Sequence, residues 1–436
     1  MPQLLDLIGT LVDSRVGIIA NVQEVPRDQG APDFVYMTAK TCKLNMANGS
    51  HEQEFFIGTG VAVDRSHAIA KAVGEAIERY CAAECVPGKF PLAAFESADF
   101  PCVRPEKFVL FSDVQYAKHD FPYVPFTRAS KVHWAAGLDL RSGETIFVPA
   151  TMVFLSPHQF QEGASITQQI STGLASHCDT TLAALKAVCE VIERDAIAVT
   201  WLAMLPQPKI LLNTLSLKNQ ELVARLERPG VSVTLLYLKM DHGIPVIFSI
   251  MQNQTRDGPA IVVAAAADLD PEAAVRRSLE ELGQIWYFAQ IVRLRQPKFL
   301  AGKQWVNVRD MESHAIFYFS HKNKRYMNFL LNSSRTISFR EIPSYARETA
   351  TESLHALVQA VTATKHRIVL IDITSQDTRE LGLWVFRAVI PGFHPLFMGH
   401  RFRALGRARL VEVCERLGFP SPRYDKALNP APHPFS

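Results

Sequence analysis

The stretch Lys71-Ala72-Val73-Gly74-Glu75-Ala76-Ile77-Glu78-Arg79 returns 115 residues later as Lys186-Ala187-Val188-Cys189-Glu190-Val191-Ile192-Glu193-Arg194, with seven of the nine positions identical. On a helix of about 100° per residue, the charged side chains of each copy share one face and the aliphatic side chains share the other. A short glycine-containing stretch precedes each copy, Gly58-Thr59-Gly60 before the first and Ser171-Thr172-Gly173 before the second. The repeat therefore predicts a loop followed by an amphipathic helix, used twice.

The charges of the repeat have two interpretations. Glu75 lies four residues from both Lys71 and Arg79, and pairs at this spacing stabilise an exposed helix without any ligand. An exposed helix needs only some charge, whereas both copies carry Glu, Glu and Arg in the same order. From the repeat alone, a shared ligand site and two duplicated surface helices stay equally open.

Four carboxylates on the two predicted helices would repel one another unless a hard cation lay between them: Glu75, Glu78, Glu190 and Glu193. Mg²⁺ suits such a set because it takes oxygen ligands, keeps some waters and prefers phosphate oxygens for the remaining positions. Arg79 and Arg194 could hold the same phosphates by bidentate hydrogen bonds. Since the Walker, dinucleotide, zincin and nucleophile-elbow motifs are absent from the sequence, these residues indicate a metal–nucleotide site without a Walker loop.

Composition restricts the class of protein. The 436 residues are 48% hydrophobic and 20% charged, with a net charge of +3, which fits a globular chain and argues against a general nucleic-acid binder. The apolar run from Ala260 to Ala267 is far shorter than the roughly 20 residues of a membrane span. Seven cysteines without a C-x-x-C pair and no basic residue before Arg15 predict a reduced, cytoplasmic setting without a signal peptide.

Strand and helix patterns alternate along the chain. Buried strands are predicted at 245–250, 260–267 and 368–373, and a further helix from Asp270 to Gln290. The last 17 residues hold five prolines, and Pro430, Pro432 and Pro434 alternate with other residues. Composition favours a solvated, extended end, and docking of this tail against the rest of the protein is the more specific alternative. The fold class predicted is α/β (α+β).

The residues together resemble the YcaO superfamily. The resemblance rests on Gly74-Glu75-Ala76-Ile77-Glu78-Arg79-Tyr80, on Ser171-Thr172-Gly173 leading into Glu190 to Ala196, and on Val389-Ile390-Pro391-Gly392. It spans the chain from about residue 10 to the end, and the paired E-x-x-E-R motifs are specific together. The resemblance implies one YcaO-type domain over 1–436 with two pseudo-symmetric halves. Its expected parts are a first motif half at about 10–130, a second at about 131–300, a C-terminal part at about 301–419 and a proline-rich tail at 420–436.

The resemblance also implies site residues and cofactors. ATP and Mg²⁺ are the expected cofactors, Glu75, Glu78, Glu190 and Glu193 are expected to bind metal or nucleotide, Arg79 and Arg194 are expected phosphate contacts, and Gln284 is an expected nucleotide ligand. The tail is similar to that of azoline-forming members, in which the C-terminus reaches the active site. Pro430, Pro432 and Pro434 are therefore expected to organise an active site that converts Cys, Ser or Thr of a ribosomal precursor peptide into thiazoline or oxazoline rings.

Partners follow from the same resemblance. By similarity to split systems, we expect a precursor peptide, a separate E1-like protein that binds its leader peptide, a flavin dehydrogenase that oxidises azolines, and a homodimer. Neither nucleic acid nor a membrane is an expected partner. Two alternatives to ring formation stay open: a family member that makes thioamides or amidines, and a catalytically silent scaffold that binds peptide or partner.

The scaffold alternative rests on departures from the family pattern. Thr59 or Val61 stands where a lysine is usual, Lys71 replaces a serine, and His177-Cys178 replaces a Gly-Asn-like pair. Leu182 and Phe288 stand where a glutamate and an arginine are usual. Lys71 is expected to supply part of the missing positive charge from its new position.

Overall fold

The computed structural model describes residues 2–27, 31–45, 53–85, 87–155, 160, 162–255, 258–296, 298–422 and 424–435. The chain divides into two compact units. The first comprises Met1–Arg27, Val35–Val191 and Glu348–Phe393, and the second comprises Asp28–Phe34, Ile192–Arg347 and His394–Ser436. The arrangement of one domain in four successive parts stays a prediction.

Among the described residues, the first unit contains three sheets and several helices. Its strands are β1 (Ile19–Glu24), β2 (Val35–Thr41), β3 (Leu44–Asn45), β4 (Gln53–Glu54), β5 (Ile57–Ala62), β6 (Leu92–Ala94), β7 (Lys131–Asp139), β8 (Thr145–Pro149), β9 (Leu174–His177), β15 (Val369–Asp372) and β16 (Trp384–Val389). Its helices are α1 (Pro2–Asp6), α2 (Ile8–Leu11), α3 (Arg65–Ala83), α4 (Asp113–Tyr116), α10 (Ala350–Ala363) and α11 (Gln376–Glu380). Helix α5 (Thr180–Leu202) begins in this unit and ends in the second.

Helix α3, the first copy of the repeat, lies in the core of the first unit. It packs against β2 and β5 of the antiparallel sheet β1-β2-β5, and it also contacts β9 of the antiparallel sheet β6-β7-β15-β16-β9, in which β8 pairs with β7. Val73 and Ile77, on the predicted apolar face, are fully buried. The side chain of Asp64 caps the helix N-terminus by accepting a hydrogen bond from His67 N, which satisfies one of its unpaired amides.

The predicted loop before α3 is wrong, because Gly58, Thr59 and Gly60 lie inside strand β5. A Cβ atom at Gly58 would overlap the Ala72 carbonyl oxygen, and one at Gly60 would overlap that of Ala68. These glycines therefore let α3 approach the strand closely, a second use of glycine besides turns. Before the second copy, Thr172 and Gly173 do form a turn, and β9 follows before α5 begins.

The second unit is built on one five-stranded sheet of order β13-β12-β11-β10-β14. Helix α7 packs against β12 and β13 and also contacts α6. The elements are β10 (Lys209–Ile210), β11 (Val231–Tyr237), β12 (Val246–Asn253), β13 (Ile261–Ala267), β14 (Thr336–Ile337), α6 (Leu217–Leu226), α7 (Pro271–Arg295), α8 (Met311–Phe317), α9 (Asn328–Leu331) and α12 (Ala408–Leu417).

The α/β prediction is confirmed. The predicted strands correspond to β12, β13 and β15, and the predicted third helix corresponds to α7, which extends past Gln290 to Arg295. The predicted pseudo-symmetry of the two halves stays a prediction. Within the described part of the chain, no helix is both long enough and apolar enough to cross a bilayer.

Candidate active site

Glu75 is held between strand β5 and its own helix. Its Oε2 accepts hydrogen bonds from Thr59 N at 2.7 Å and from Thr59 Oγ1 at 2.9 Å, and its Oε1 pairs with Arg79 Nη2 at 3.1 Å. Both side chains of the ion pair are about two-thirds buried, at 31% and 30% exposure. The charged face of α3 therefore packs against other elements of the first unit, which contradicts the interpretation as a merely solvated helix face.

Glu78 is half-buried one turn further along α3. Its Oε1 accepts hydrogen bonds from Ser176 N at 2.8 Å and Ser176 Oγ at 3.1 Å. Burial raises the pKa of Glu78 to about 8, and the nearby carboxylates of Glu190 and Glu75 raise it as well, against the opposing effect of the Ser176 bonds. Crowded carboxylates cannot all ionise without a compensating cation, so the proximity of Glu75, Glu78 and Glu190 indicates a place where added positive charge would be favourable.

Glu190, on α5, faces the turn that precedes β9. Its Oε2 accepts a hydrogen bond from Gly173 N at 3.2 Å. Gly173 has a φ of +87°, and a Cβ at this position would overlap the Ala388 carbonyl oxygen. The glycine of the second motif is therefore required by both its backbone conformation and its contact with β16.

Strand β16 adds an arginine that the sequence analysis missed. Arg387 is 3% exposed, and neither its Nε nor its Nη1 has a hydrogen-bond partner among the residues that the structure describes. Burial lowers the pKa of Arg387 to about 10, with Glu190 raising it and Arg79 lowering it. An unsatisfied buried donor costs about 1–3 kcal/mol, and more for a charged group. The interactions with Glu190 and Arg79 therefore place this buried guanidinium, with its two unused donor atoms, beside the carboxylates.

We call this set of first-unit side chains the carboxylate cluster: Glu75, Glu78, Arg79, Glu190 and Arg387. It unites four of the seven predicted metal or nucleotide ligands with one unpredicted arginine. Thr59, Ser176 and Gly173 position the three carboxylates. A motif search finds the glutamates, whereas Arg387 carries only a weak sequence signal, a charged residue inside the otherwise apolar strand Trp384–Val389.

The remaining predicted ligands lie in the second unit. Glu193 is 6% exposed, and its Oε2 accepts a hydrogen bond from Ala267 N, at the end of β13, at 3.0 Å. The guanidinium of Arg194 lies 4.6 Å from the centroid of the Phe435 ring. Gln284 is half-buried on α7, one turn beyond Glu280. Their roles as nucleotide ligands stay predictions.

The end of the proline-rich tail, residues 431–435, is buried in the second unit, whereas Pro420, Tyr424 and Pro430 are exposed. The interpretation as a solvated end is therefore wrong for the last residues of the tail. Four consecutive tail carbonyls accept hydrogen bonds from side chains of other elements. Arg403 Nη1 donates to Pro430 O at 3.1 Å, Trp201 Nε1 to Ala431 O at 3.0 Å, Tyr318 Oη to Pro432 O at 2.6 Å and His314 Nδ1 to His433 O at 2.9 Å.

Alternating prolines suit this arrangement because proline has no N–H group to satisfy. Ala431 N, between two prolines, donates to Asn429 Oδ1 at 3.1 Å. Phe435, beyond the last proline, is fully buried. The tail thus docks by its carbonyls and by the rings of Phe435 and of His433, which stacks on His314, and the role of Pro430, Pro432 and Pro434 in active-site organisation stays a prediction.

Thr59 and Lys71, two of the unusual positions, have polar contacts that bear on the site. Thr59 supplies neutral donors to Glu75, where a lysine is usual. Lys71 Nζ donates to Val61 O at 2.8 Å, so a backbone carbonyl holds the charge expected to compensate for the missing lysine. Phe288, in place of an arginine, is 51% exposed on α7.

Within the described residues, no group of three or more His, Cys, Asp or Glu side chains is placed to hold a metal ion. The assignment of Glu75, Glu78, Glu190 and Glu193 as metal ligands therefore stays a prediction.

Comparison with known proteins gives one family match. A family model described as YcaO cyclodehydratase, ATP- and Mg²⁺-binding, matches residues 59–394. An uncharacterised protein of Methanothermobacter thermautotrophicus is 26% identical over 365 residues, which cover 80% of this chain and 85% of that protein. The residue motifs and the family model thus agree, and ATP and Mg²⁺ are confirmed as the cofactors of the family.

Solved structures share the fold. A heterocyclase in complex with substrate and cofactor aligns over the whole chain with a TM-score of 0.79 and 21% identity. This chain covers 57% of that heterocyclase. YcaO from Methanopyrus kandleri bound with AMPPCP and Mg²⁺ aligns over 90% of this chain and 89% of its own, with a TM-score of 0.60 and 17% identity. The E. coli microcin synthetase McbBCD complex with pro-MccB17 bound aligns over 97% and 98%, with a TM-score of 0.66 and 13% identity.

Proposed function

We propose, from the premise that this chain belongs to the YcaO family, that it is an ATP- and Mg²⁺-dependent cyclodehydratase. Its substrates are Cys, Ser or Thr residues of a ribosomally made precursor peptide, and its products are thiazoline or oxazoline rings. The observation that carries the proposal is the carboxylate cluster, in which Glu75, Glu78 and Glu190 lie beside Arg79 and the buried Arg387. Burial, and then the charges of Glu190 and Glu75, raise the pKa of Glu78 to about 8.

The cluster fits Mg²⁺ bound together with phosphates. Carboxylate oxygens are hard ligands, and Mg²⁺ is usually bound through one or two carboxylates with waters and substrate phosphates completing its shell. One or two of Glu75, Glu78 and Glu190 would supply these carboxylates, and Arg79 and Arg387 supply positive charge beside them. When bound, Mg²⁺ would neutralise charge on the phosphate oxygens. We further propose that Glu193, Arg194 and Gln284 bind the nucleotide, as the family resemblance implies.

The proposed reaction uses ATP as a substrate. The thiol or hydroxyl of the peptide residue attacks the preceding backbone carbonyl carbon, and the former amide oxygen takes the terminal phosphoryl group of ATP. The attack closes the ring and releases the proton of the thiol or hydroxyl. The C–O bond then breaks and its oxygen leaves in inorganic phosphate, with ADP as the second product, while the amide nitrogen loses its proton and forms the C=N bond of the azoline. Phosphorylation is needed because an amide-derived oxygen is otherwise a poor leaving group. Fixed positive charge would stabilise the charge that develops during the transfer.

The docked tail supports the azoline branch of the family. Its burial in the second unit, with Phe435 against Arg194, links the C-terminus to a residue of the second E-x-x-E-R motif. An enzyme that uses its tail in this way depends on Pro430, Pro432 and Pro434, whereas a scaffold tolerates their loss. We propose that this contact keeps Arg194 in place for the nucleotide.

We also propose partners by analogy with the structural neighbours. One neighbour is a microcin synthetase complex with its pro-peptide bound, and another holds its substrate. By this analogy, the chain acts on a precursor peptide with a separate leader-binding protein. A flavin dehydrogenase and a second copy of the chain complete the proposed assembly.

Titration calorimetry with Mg·ATP tests the nucleotide site first. We expect the native chain to bind and Glu193→Gln to bind at least about tenfold more weakly, because a carboxylate is lost while the hydrogen bond from Ala267 N is kept. Glu106→Gln is the matched control, because Glu106 pairs with Arg128 on an exposed surface. Equal binding by both variants would contradict the assignment of Glu193.

Mass spectrometry then tests the chemistry on peptides that contain Cys, Ser and Thr, with Mg·ATP and with or without a leader-binding partner. Ring formation removes one water per ring, and the labelled amide oxygen should be recovered in phosphate. Absence of ATP binding by the folded native chain would favour the scaffold. Replacement of the amide oxygen by a sulfur from added sulfide, or by the nitrogen of an amine and located by fragmentation, would favour thioamide or amidine formation.

A further inference from the structure

Arg387 is the feature of the first unit that the repeated motifs do not account for. It lies on β16, which pairs with β9 in an antiparallel register that sets Arg387 opposite Leu174. The same strand β9 carries Ser176, the residue that donates to Glu78. Strand pairing therefore brings Arg387 to the carboxylate cluster from a part of the chain that follows Arg194 by nearly two hundred residues.

The carboxylates of the cluster already have other donors. Glu75 is bonded to Thr59 and Arg79, and Glu190 is bonded to Gly173. Arg387 interacts electrostatically with Glu190 and Arg79, yet its Nε and Nη1 donate to no described residue. Because Arg387 is only 3% exposed, leaving donors of its guanidinium unused is costly. A ligand that accepts hydrogen bonds would remove this cost.

The surroundings select the chemistry of that ligand. A guanidinium offers its N–H groups in a planar fork that matches a pair of carboxylate or phosphate oxygens. A further carboxylate would be repelled by Glu78 and Glu190. A phosphate bound with Mg²⁺ brings its own cation into the cluster and removes that repulsion.

We propose that Arg387 is a phosphate-binding residue, whose Nε and Nη1 donate to oxygens of a nucleotide phosphate. The proposal rests on the proposed function and adds a residue outside the E-x-x-E-R motifs. Arg387 takes the place of positive charge that this chain lacks at Thr59, where the side chain is a neutral donor to Glu75.

The test compares Arg387→Met with Arg379→Met in the full chain. Arg379 also lies in the first unit and pairs with Asp372 at 2.9 Å, at an exposed position outside the carboxylate cluster. In calorimetry with Mg·ATP, we expect Arg387→Met to bind about 10- to 100-fold more weakly, as for loss of charge-assisted hydrogen bonds, and Arg379→Met to bind like the native chain. Arg387→Lys should bind at an intermediate level, because it keeps the charge and loses the planar fork.

A second readout needs no nucleotide. In thermal unfolding without ligand, Arg387→Met should have a Tm equal to or above that of the native chain, because the variant removes a buried charge with unused donors. Addition of Mg·ATP should raise the Tm of the native chain and raise that of the variant less. A lowered Tm without ligand together with native ATP affinity would overturn the proposal and assign Arg387 a purely structural role.

Magnesium tripolyphosphate separates failure of this proposal from failure of the proposed function. If the native chain binds Mg·ATP and Arg387→Met binds it equally well, the role of Arg387 is refuted and the enzyme proposal stands. If the native chain binds tripolyphosphate but not ATP, and the variant binds neither, Arg387 remains a phosphate-binding residue and the ATP-dependent function is refuted. If the native chain binds neither, both proposals are refuted.

Discussion

Two buried arginines, one in each unit, are held in opposite ways. Arg409, on α12, is fully buried and donates five hydrogen bonds to the carboxylates of Asp195 and Asp241, at distances from 2.8 to 3.2 Å. Arg387 is almost as buried, and two of its nitrogen atoms have no described partner. A buried charge can be stabilised by the protein itself or left for a ligand, and the hydrogen-bond partners separate the two cases.

The pKa values of the two arginines differ in a way that matches their hydrogen-bond partners. Burial lowers both, but Asp195 and Asp241 reverse the effect at Arg409 and hold the pKa of its guanidinium above the usual range. At Arg387, burial dominates and the pKa falls to about 10. The Asp195–Arg409–Asp241 network is complete without a ligand, and Asp195 Oδ1 also accepts a hydrogen bond from His394 N at 2.7 Å. We therefore assign Arg409 to stability and Arg387 to binding.

Arg409→Met gives the largest expected effect on this comparison. The variant leaves Asp195 buried without an ion-pair partner and leaves Asp241 with only the more distant Arg416, and breaking a buried ion pair on one side costs about 3–5 kcal/mol. Urea unfolding of the native chain and the variant measures the loss of unfolding free energy. Arg416→Met is the control, because Arg416 is 33% exposed and lies 3.5 Å from Asp241. A loss below about 1 kcal/mol would show that Arg409 is not a structural charge and would remove the contrast with Arg387.

Phe435→Ala tests whether the tail belongs to the structural part of the second unit. The ring is fully buried against Arg194, and truncation of a buried phenylalanine costs about 3 kcal/mol through lost burial and the cavity left behind. Urea unfolding measures the loss, and protease cleavage of the tail should become faster. Tyr424→Ala, at a 64% exposed position, should change neither quantity. Unchanged stability in Phe435→Ala would mean that the tail contributes nothing to the folded state.

The sequence predicts the helices and strands around the site better than the tertiary contacts that complete it. The alternation of apolar and charged residues identifies α3, α5 and α7, and the β-branched runs identify β12, β13 and β15, because these signals are local. Arg387 gives only the weak signal of a charged residue in an apolar strand, since its burial depends on the pairing of β16 with β9. The docking of the tail escapes the sequence for a similar reason. Its carbonyl partners Trp201, Tyr318 and His314 come from distant elements, so composition alone predicts a solvated end. The sequence predicts a loop at Gly58 and Gly60 because glycine is common in turns. The close approach of α3 that explains these glycines is a tertiary contact, which a local pattern does not report.

Acid should destabilise the docked tail through His314. Burial lowers the pKa of His314 to about 4, the carbonyl of His433 and Asp310 raise it, and Arg403 lowers it. The unfolded chain therefore binds a proton that the folded chain does not between about pH 6.5 and pH 4, so stability falls as the pH drops through this window. We expect a loss on the order of 3 kcal/mol by pH 4. His314→Asn keeps a donor near the Nδ1 position without titrating, so urea unfolding between pH 7 and pH 4 should show a smaller loss for the variant. Equal slopes would contradict this role.

Ser176→Ala has the smallest expected effect. It tests whether the hydrogen bonds of the carboxylate cluster stabilise the fold as strongly as the Arg409 network does. The variant removes two hydrogen bonds of Ser176 Oγ, to Glu78 Oε1 at 3.1 Å and to Gly74 O at 3.0 Å, and keeps the bond from Ser176 N. A loss of about 1 kcal/mol is expected in urea unfolding, well below that of Arg409→Met. Ser130→Ala, at an exposed turn, is the control. A loss as large as that of Arg409→Met would mean that the carboxylates of the first unit support the fold as strongly as the Arg409 network does. The opposite assignment of the two buried arginines would then fail, because both clusters would be structural.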